Sequence, residues 1–318
     1  QSQRTTQRIA NSKSKGKGKR IYEYGNTRTT RHQPQRGTMR TLVIDTSYGS
    51  TVGITGYQPI TEQDSRTHVE KLQNDIAQAC AEANMRPHDF ERIIVGIGPA
   101  PFTGLRAGIV AAKAIAYATG AQLLGQDSLT GQAAMMQAIH QRNPQALQTP
   151  ALRNITVPQE PADTIHITLS VNDARRKQLY YMLLTDHNTG SQQFRTLIDM
   201  DIDTPANIVL SVTAAVETLQ HDNPNTPITV DIAGHGAAKY QETWQQLPNT
   251  GIITDHSLLD LDTWGLNTFA ELAAHHADIA SAPQPVEPLY LRRPDVSIPN
   301  PLKHVLNHGT AERKDTLQ

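Results

Sequence analysis

Two rhythms of apolar and polar residues divide the chain into elements. Thr41-Leu-Val-Ile-Asp45 is a short apolar run, and Thr51-Val-Gly-Ile-Thr55 follows it across a tight Tyr48-Gly49-Ser50 turn, which predicts a β-hairpin. From Thr67 to Asn84 the rhythm changes. Val69, Leu72, Ile76, Ala79, Cys80 and Ala83 recur at spacings of three and four, one face of a helix, with Pro87 just beyond its end. Arg92–Ile97 reads as a buried strand and Gly98–Gly104 as a turn, with Thr103 the cap of a second helix over Leu105–Thr119. That helix is crowded with Ala107, Gly108, Ala111, Ala112, Ala114, Ala116 and Ala118, small side chains that let another helix approach closely. After a polar connection over 141–162 the alternation resumes. Strands at Thr164–Asn172 and Gln178–Thr185 flank Asp173-Ala-Arg-Arg-Lys177; helix Ala206–Leu219, strand Ile228–Ala233, the Gly234-His-Gly236 loop and helix Leu266–Ile279 follow. No repeat of fixed period is visible. The alternation predicts α/β lobes with mixed sheets.

Charge divides the chain differently. The net charge of -1 over 318 residues hides a basic stretch, 1–38, holding ten Lys and Arg against the single acid Glu23. With so little apolar surface to offset the entropy of ordering, 1–38 is expected to be disordered, either as an electrostatic arm for RNA or as an over-long start before Met39. Cys80 is the only cysteine, which excludes an intramolecular disulfide and a cysteine-based zinc cluster and fits a reducing, cytoplasmic setting. No run approaches the roughly 18 apolar residues of a membrane helix.

Local motifs offer little chemistry. Asp45-Thr46-Ser47 closes a strand as a phosphate- or magnesium-binding loop would, but these are also ordinary turn residues. Gly96–Gly108 fails both phosphate-loop templates, and Pro99 and Pro101 lack the N–H groups that a cradle uses. Arg106 near a helix N-terminus opposes the helix dipole and calls for an acceptor nearby. His304 and His308 lack the glutamate of a zinc hydrolase, His275 and His276 are adjacent and point to different faces, and no Gly-x-Ser-x-Gly elbow occurs. Neither a metal site nor a catalytic residue is expected from motif spacing.

Several segments together resemble the TsaB (YeaZ) family. They are Leu42-Val-Ile-Asp-Thr-Ser47, Arg66-Thr-His-Val-Glu-Lys-Leu72, Gly98-Pro-Ala-Pro-Phe-Thr-Gly-Leu-Arg106, Asp173-Ala-Arg-Arg176, Gly234-His-Gly-Ala-Ala-Lys-Tyr240 and Pro288-Leu-Tyr-Leu-Arg-Arg-Pro-Asp295. The family's usual Gly-Ser is replaced by Ala100-Pro101. The resemblance implies a two-lobe actin/Hsp70-like fold (ASKHA, sugar-kinase/RNase H-like), with mixed sheets flanked by helices. The first lobe is 39–150 and the second 151–294, with the last helix, 265–280, packing back on the first and a flexible tail over 295–318.

It also implies a non-catalytic scaffold role in forming N6-threonylcarbamoyladenosine (t6A) on tRNA. The chain would bind and activate TsaD, with the ATPase TsaE joining the pair and a second copy as the other available partner. The tRNA would be reached indirectly, or through the 1–38 arm, and no cofactor is implied. TsaD holds its metal through a His-x-x-x-His motif, where this chain has His68 followed by Leu72. Leu72, Ile76, Leu105, Arg106, Ile109 and Ala112 are the candidate partner contacts, and Asp45, Thr46 and Gly234 would mark a degenerate nucleotide cleft. The roles of Arg175 and Arg176 stay open. The competing readings are a nucleotide-dependent phosphotransferase of the same fold and, last, an M22-type glycoprotease-like peptidase.

Overall fold

A computed structural model describes residues 39–63, 68–186 and 194–291; the expectations for 1–38 and for the tail from 295 fall outside these residues. The first series of elements is β1 (Thr41–Asp45), β2 (Ser50–Ile54), β3 (Ile60–Glu62), α1 (His68–Glu82), β4 (Arg92–Gly96), α2 (Phe102–Thr119), β5 (Gln122–Gln126), α3 (Ser128–His140) and the one-turn α4 (Pro144–Leu147). The second is β6 (Ile165–Asp173), β7 (Leu179–Thr185), β8 (Arg195–Asp203), α5 (Pro205–Asp222), β9 (Ile228–Ala233), the one-turn α6 (Gln241–Trp244), β10 (Thr250–Thr254) and α7 (Asp262–Ile279).

The two series build two five-stranded sheets on one plan. In the first the order is β3-β2-β1-β4-β5, with β1, β2 and β3 antiparallel neighbours and β4 and β5 added parallel to β1. In the second the order is β10-β9-β6-β7-β8, again an antiparallel meander of three with two parallel strands on its first member. The repeat that no sequence period reveals is therefore a repeat of topology. Each first strand, β1 or β6, lies mid-sheet between its antiparallel and its parallel neighbour and is buried along most of its length; β1 reads as a near-continuous apolar run, whereas β6 alternates apolar residues with His166, Thr168, Ser170 and Asn172.

Three hydrophobic clusters hold the layers. Leu42, Ile44 and Val95 face α1 and α2 through Leu72, Ile76, Leu105 and Ile109. Val43 and Ile94, on the opposite face of the same strands, meet α3 and α7 through Met135, Ile139, Leu266 and Phe269. The second sheet packs on α5 through Ile208, Val212 and Val216. Cys80 is buried among the first group, as a small hydrophobe would be. Helix α2 starts earlier than the periodicity suggests: Pro101 is its cap residue and Thr103 lies inside the first turn, so the Thr103 cap is not formed. Proline serves here because its fixed φ, -60°, already fits a helix entry. No helix among the described residues is long and apolar enough to cross a membrane.

Candidate functional site

The chain's motifs converge on a cleft where the end of β1, the turn after β9 and the start of α3 meet. Asp45 is buried at the end of β1; its Oδ1 accepts from Ser47 Oγ at 2.7 Å and its Oδ2 from Ser47 N at 3.3 Å. Glycine is needed opposite it, because a Cβ on Gly96 of the neighbouring strand would overlap the carboxylate. Thr46 sits against the backbone of α2, where a Cβ on Gly108 would strike its hydroxyl, and that hydroxyl has no hydrogen-bond partner among the described residues. Burial pushes the Asp45 carboxyl above its ordinary range, and the Ser47 hydrogen bonds offset only part of the rise.

The other wall is a hydrogen-bonded seam. Gln132 of α3 donates to the carbonyl of Val171 at 3.2 Å and to Asn172 Oδ1 at 2.9 Å, and Asn172 donates to Ser128 Oγ at 2.9 Å. Gly234 packs on this seam with φ 119°, where any Cβ would overlap the Val171 carbonyl and the Gln132 amide. Beside it His235 meets Asp260 at 2.8 Å and stacks on Tyr48, with ring centroids 3.8 Å apart. Burial raises the Asp260 carboxyl, but the hydrogen bond and charge of His235, with the Ser257 N–H, pull it further down, to below its usual range. The Tyr48–His235 plate leaves about 20 Å³ between Asp45, Ser128 and Asp260, room for about one water, whereas small-molecule sites take roughly 300–1,000 Å³. Of the three residues expected to mark a nucleotide cleft, only Asp45 lines this space; the Thr46 hydroxyl lies against Gly108 of α2, and Gly234 packs on the Gln132 seam.

The sign of the Asp45 shift yields a prediction. A carboxyl whose pKa is higher folded than unfolded contributes stability that is complete below its unfolded value and is lost as pH rises through the folded value. Urea midpoints of Asp45→Asn minus those of the wild type are expected to rise between pH 4 and pH 7. A flat difference would show that Asp45 is not held in a desolvated site.

The α1–α2 face corrects the choice of contact residues. Leu72, Ile76, Leu105, Ile109 and Ala112 are all buried in the chain's own first core, so none can meet a partner directly. The sequence misleads here because small residues line both faces of α2. Its solvent face carries Arg106, Val110, Lys113, Ala114, Tyr117 and Ala118. Val110 is 65 % exposed and Tyr117 95 % exposed, the largest exposure among the described large hydrophobics. Within the chain, the acceptor expected for Arg106 is a tyrosine hydroxyl. Its Nε donates to Tyr290 Oη at 2.6 Å, and the guanidinium stands 5.7 and 5.3 Å from the ring centroids of Phe102 and Tyr290. The segment bearing Tyr290 is tied down where Leu289 N donates to the Ile97 carbonyl at 2.8 Å.

In α1 the fourth residue after His68 is Leu72, a core residue, where the motif implied for TsaD has its second histidine. At the hairpin between β6 and β7, Arg175, Arg176 and Lys177 follow one another with φ of 64°, 52° and 60°, an exposed basic tip held in a costly left-handed conformation. The far end of α3 brings together His140, His166 and Asp231. Motif spacing could not find that group, since its members lie on three elements.

Comparison with known proteins follows the same outline. The family model described as TsaD, tRNA N6-adenosine threonylcarbamoyltransferase, matches residues 56–299. An uncharacterized protein of Mycobacterium tuberculosis is 29% identical over 157 residues, 48% of this chain, so the match spans only 58% of that relative's length. The tRNA N6-adenosine threonylcarbamoyltransferase of Ruegeria pomeroyi is 38% identical over 74 residues, 23% of this chain and 20% of that enzyme. YeaZ from Pseudomonas aeruginosa superposes with a TM-score of 0.53 at 19% identity, over 80% of this chain and all of the other, a likeness of fold. With its model matching well over half of the residues, the chain belongs to the tRNA N6-adenosine threonylcarbamoyltransferase (TsaD) family, on the two-sheet α/β fold it shares with YeaZ.

Proposed function

We propose that the chain is the TsaB (YeaZ)-type member of a t6A-forming assembly, a scaffold that docks a TsaD-type subunit through the solvent face of α2 and performs no bond-breaking of its own. The observation carrying this reading is the exposure of Val110 and Tyr117 on a helix whose other face is fully used in the core. Apolar surface held in water on a rigid helix marks a place where a partner removes it. The small cleft supports the same reading, because about 20 Å³ between Asp45, Ser128 and Asp260 is far below the roughly 300–1,000 Å³ of a small-molecule site.

Reconstitution tests it. The cognate TsaD-type subunit, the TsaE-type ATPase, the threonylcarbamoyl-adenylate synthase and tRNA are combined with and without this chain. t6A is expected only when the chain is present, and the chain alone with ATP and tRNA is expected to release no phosphate. Equal yields without the chain, or steady turnover by the isolated chain, would refute the scaffold role.

A further inference from the structure

Asp231 on β9 is fully buried, and its Oδ2 lies 2.7 Å from Nε2 of His140, the last residue of α3, and 3.8 Å from Nδ1 of His166 on β6. A hydrogen-bonded histidine–aspartate pair accounts for His140 alone. It leaves His166 Nδ1 sealed from solvent with no hydrogen-bond partner among the described residues, an arrangement that costs free energy unless something binds there. The two imidazoles stack with centroids 3.6 Å apart, so both donor nitrogens lie beside the same carboxylate oxygen.

A second layer orients these groups. Glu160 Oε2 lies 3.5 Å from Nε2 of His166, and its Oε1 accepts from Thr229 Oγ1 at 2.7 Å. Asp231 Oδ1 accepts from the Ile252 N–H at 2.7 Å. A histidine that ligates a metal with one nitrogen characteristically offers the other to a carboxylate, and a ligating carboxylate is itself hydrogen-bonded.

We propose that His140, His166 and Asp231 form a binding site for a divalent transition-metal cation of the zinc class, with water completing the coordination. Ligand distances of roughly 2.0–2.2 Å put tetrahedral donors about 3.3–3.6 Å apart, a range that the 2.7 and 3.8 Å separations bracket. Two imidazoles and one carboxylate suit zinc or cobalt, whereas magnesium and calcium take oxygen ligands. The side chains of His140 and His166 are 11% and 25% exposed, so solvent reaches the edge of the site although His166 Nδ1 itself is covered. The ion would neutralise the buried carboxylate and pin the end of α3 to β6 and β9. Ser128 lines the cleft and His140 lies twelve residues further along α3, about 18 Å away at a helical rise of 1.5 Å per residue. The proposal therefore stands apart from the scaffold reading.

The full chain, stripped with a chelator and titrated with Co²⁺, is expected to bind one ion with the visible absorption of a tetrahedral site. Zn²⁺ should displace it and millimolar Mg²⁺ should not. His166→Gln should weaken Zn²⁺ binding by at least about 100-fold, while the double variant His304→Gln/His308→Gln should change nothing. His140→Cys keeps a ligand and should add a thiolate-to-cobalt band in the near ultraviolet, which an unfolded variant would not give. Three results would overturn the site: no stoichiometric Co²⁺, binding that survives His166→Gln, or a His140→Cys protein without the thiolate band. Loss of binding in the His304→Gln/His308→Gln protein would overturn it as well.

Discussion

Tyr117→Glu is expected to leave the chain folded and to weaken its association with the cognate TsaD-type subunit by about 100-fold, the loss of one interface hot spot of roughly 2–3 kcal/mol. Tyr117 is 95 % exposed, so its replacement removes almost no packing in the free chain, and surface changes of this kind usually move stability by no more than about 0.5 kcal/mol. Val110→Glu, about two helical turns away on the same face, should act in the same direction. Titration calorimetry reads the affinity, and a thermal melt of the free variant confirms the fold. Charge insertion at Ala112 would not test the interface. That residue is 0% exposed, so a carboxylate there disrupts the core before any partner arrives. If Tyr117→Glu and Val110→Glu both bind with unchanged affinity, the partner docks elsewhere.

The second large effect concerns the cleft. Gly234→Ala is expected to destabilise the fold by about 3 kcal/mol or more, because a left-handed conformation and a clash with backbone act together. Gly234 has φ 119°, and the Val171 carbonyl against which its Cβ would press belongs to a mid-sheet strand that cannot recede. Gly56 supplies the control: its φ is 87° but no atom lies within 4 Å of a Cβ built there. Gly56→Ala should therefore show the conformational cost alone, about 1 kcal/mol. Urea denaturation of both variants separates strain from overlap. Equal losses would mean that α3, β6 and the Gly234 turn are not packed as closely as the seam through Gln132 requires.

Some of this was legible in the sequence and some was not, for physical reasons. The mid-sheet strands β1, β4, β7 and β9 are mostly apolar runs and β6 alternates apolar with polar residues, so each carries a strand pattern in the sequence. β8 was missed because it is an edge strand, with Asp199, Asp201 and Asp203 alternating with half-buried residues. α3 was missed for the opposite reason. It is buried on every side from Leu129 to Met136, so no polar face marks a helical period. Turn chemistry singles out Asp45, Thr46 and Gly234 alike, but only Asp45 lines the cleft, and the Tyr48–His235 stack beside it joins residues far apart in the chain. The choice of Leu72, Ile109 and Ala112 as contacts shows a limit of composition. Small residues line both faces of α2, while only burial tells which face belongs to its own core.

The most direct test joins the exposed face of α2 to its proposed role. In the reconstituted reaction, the rate of t6A formation is measured against the concentration of wild-type or Tyr117→Glu chain. The account predicts a half-saturating concentration about 100-fold higher for the variant, with the same plateau once the assembly is saturated. Superimposable curves would contradict it.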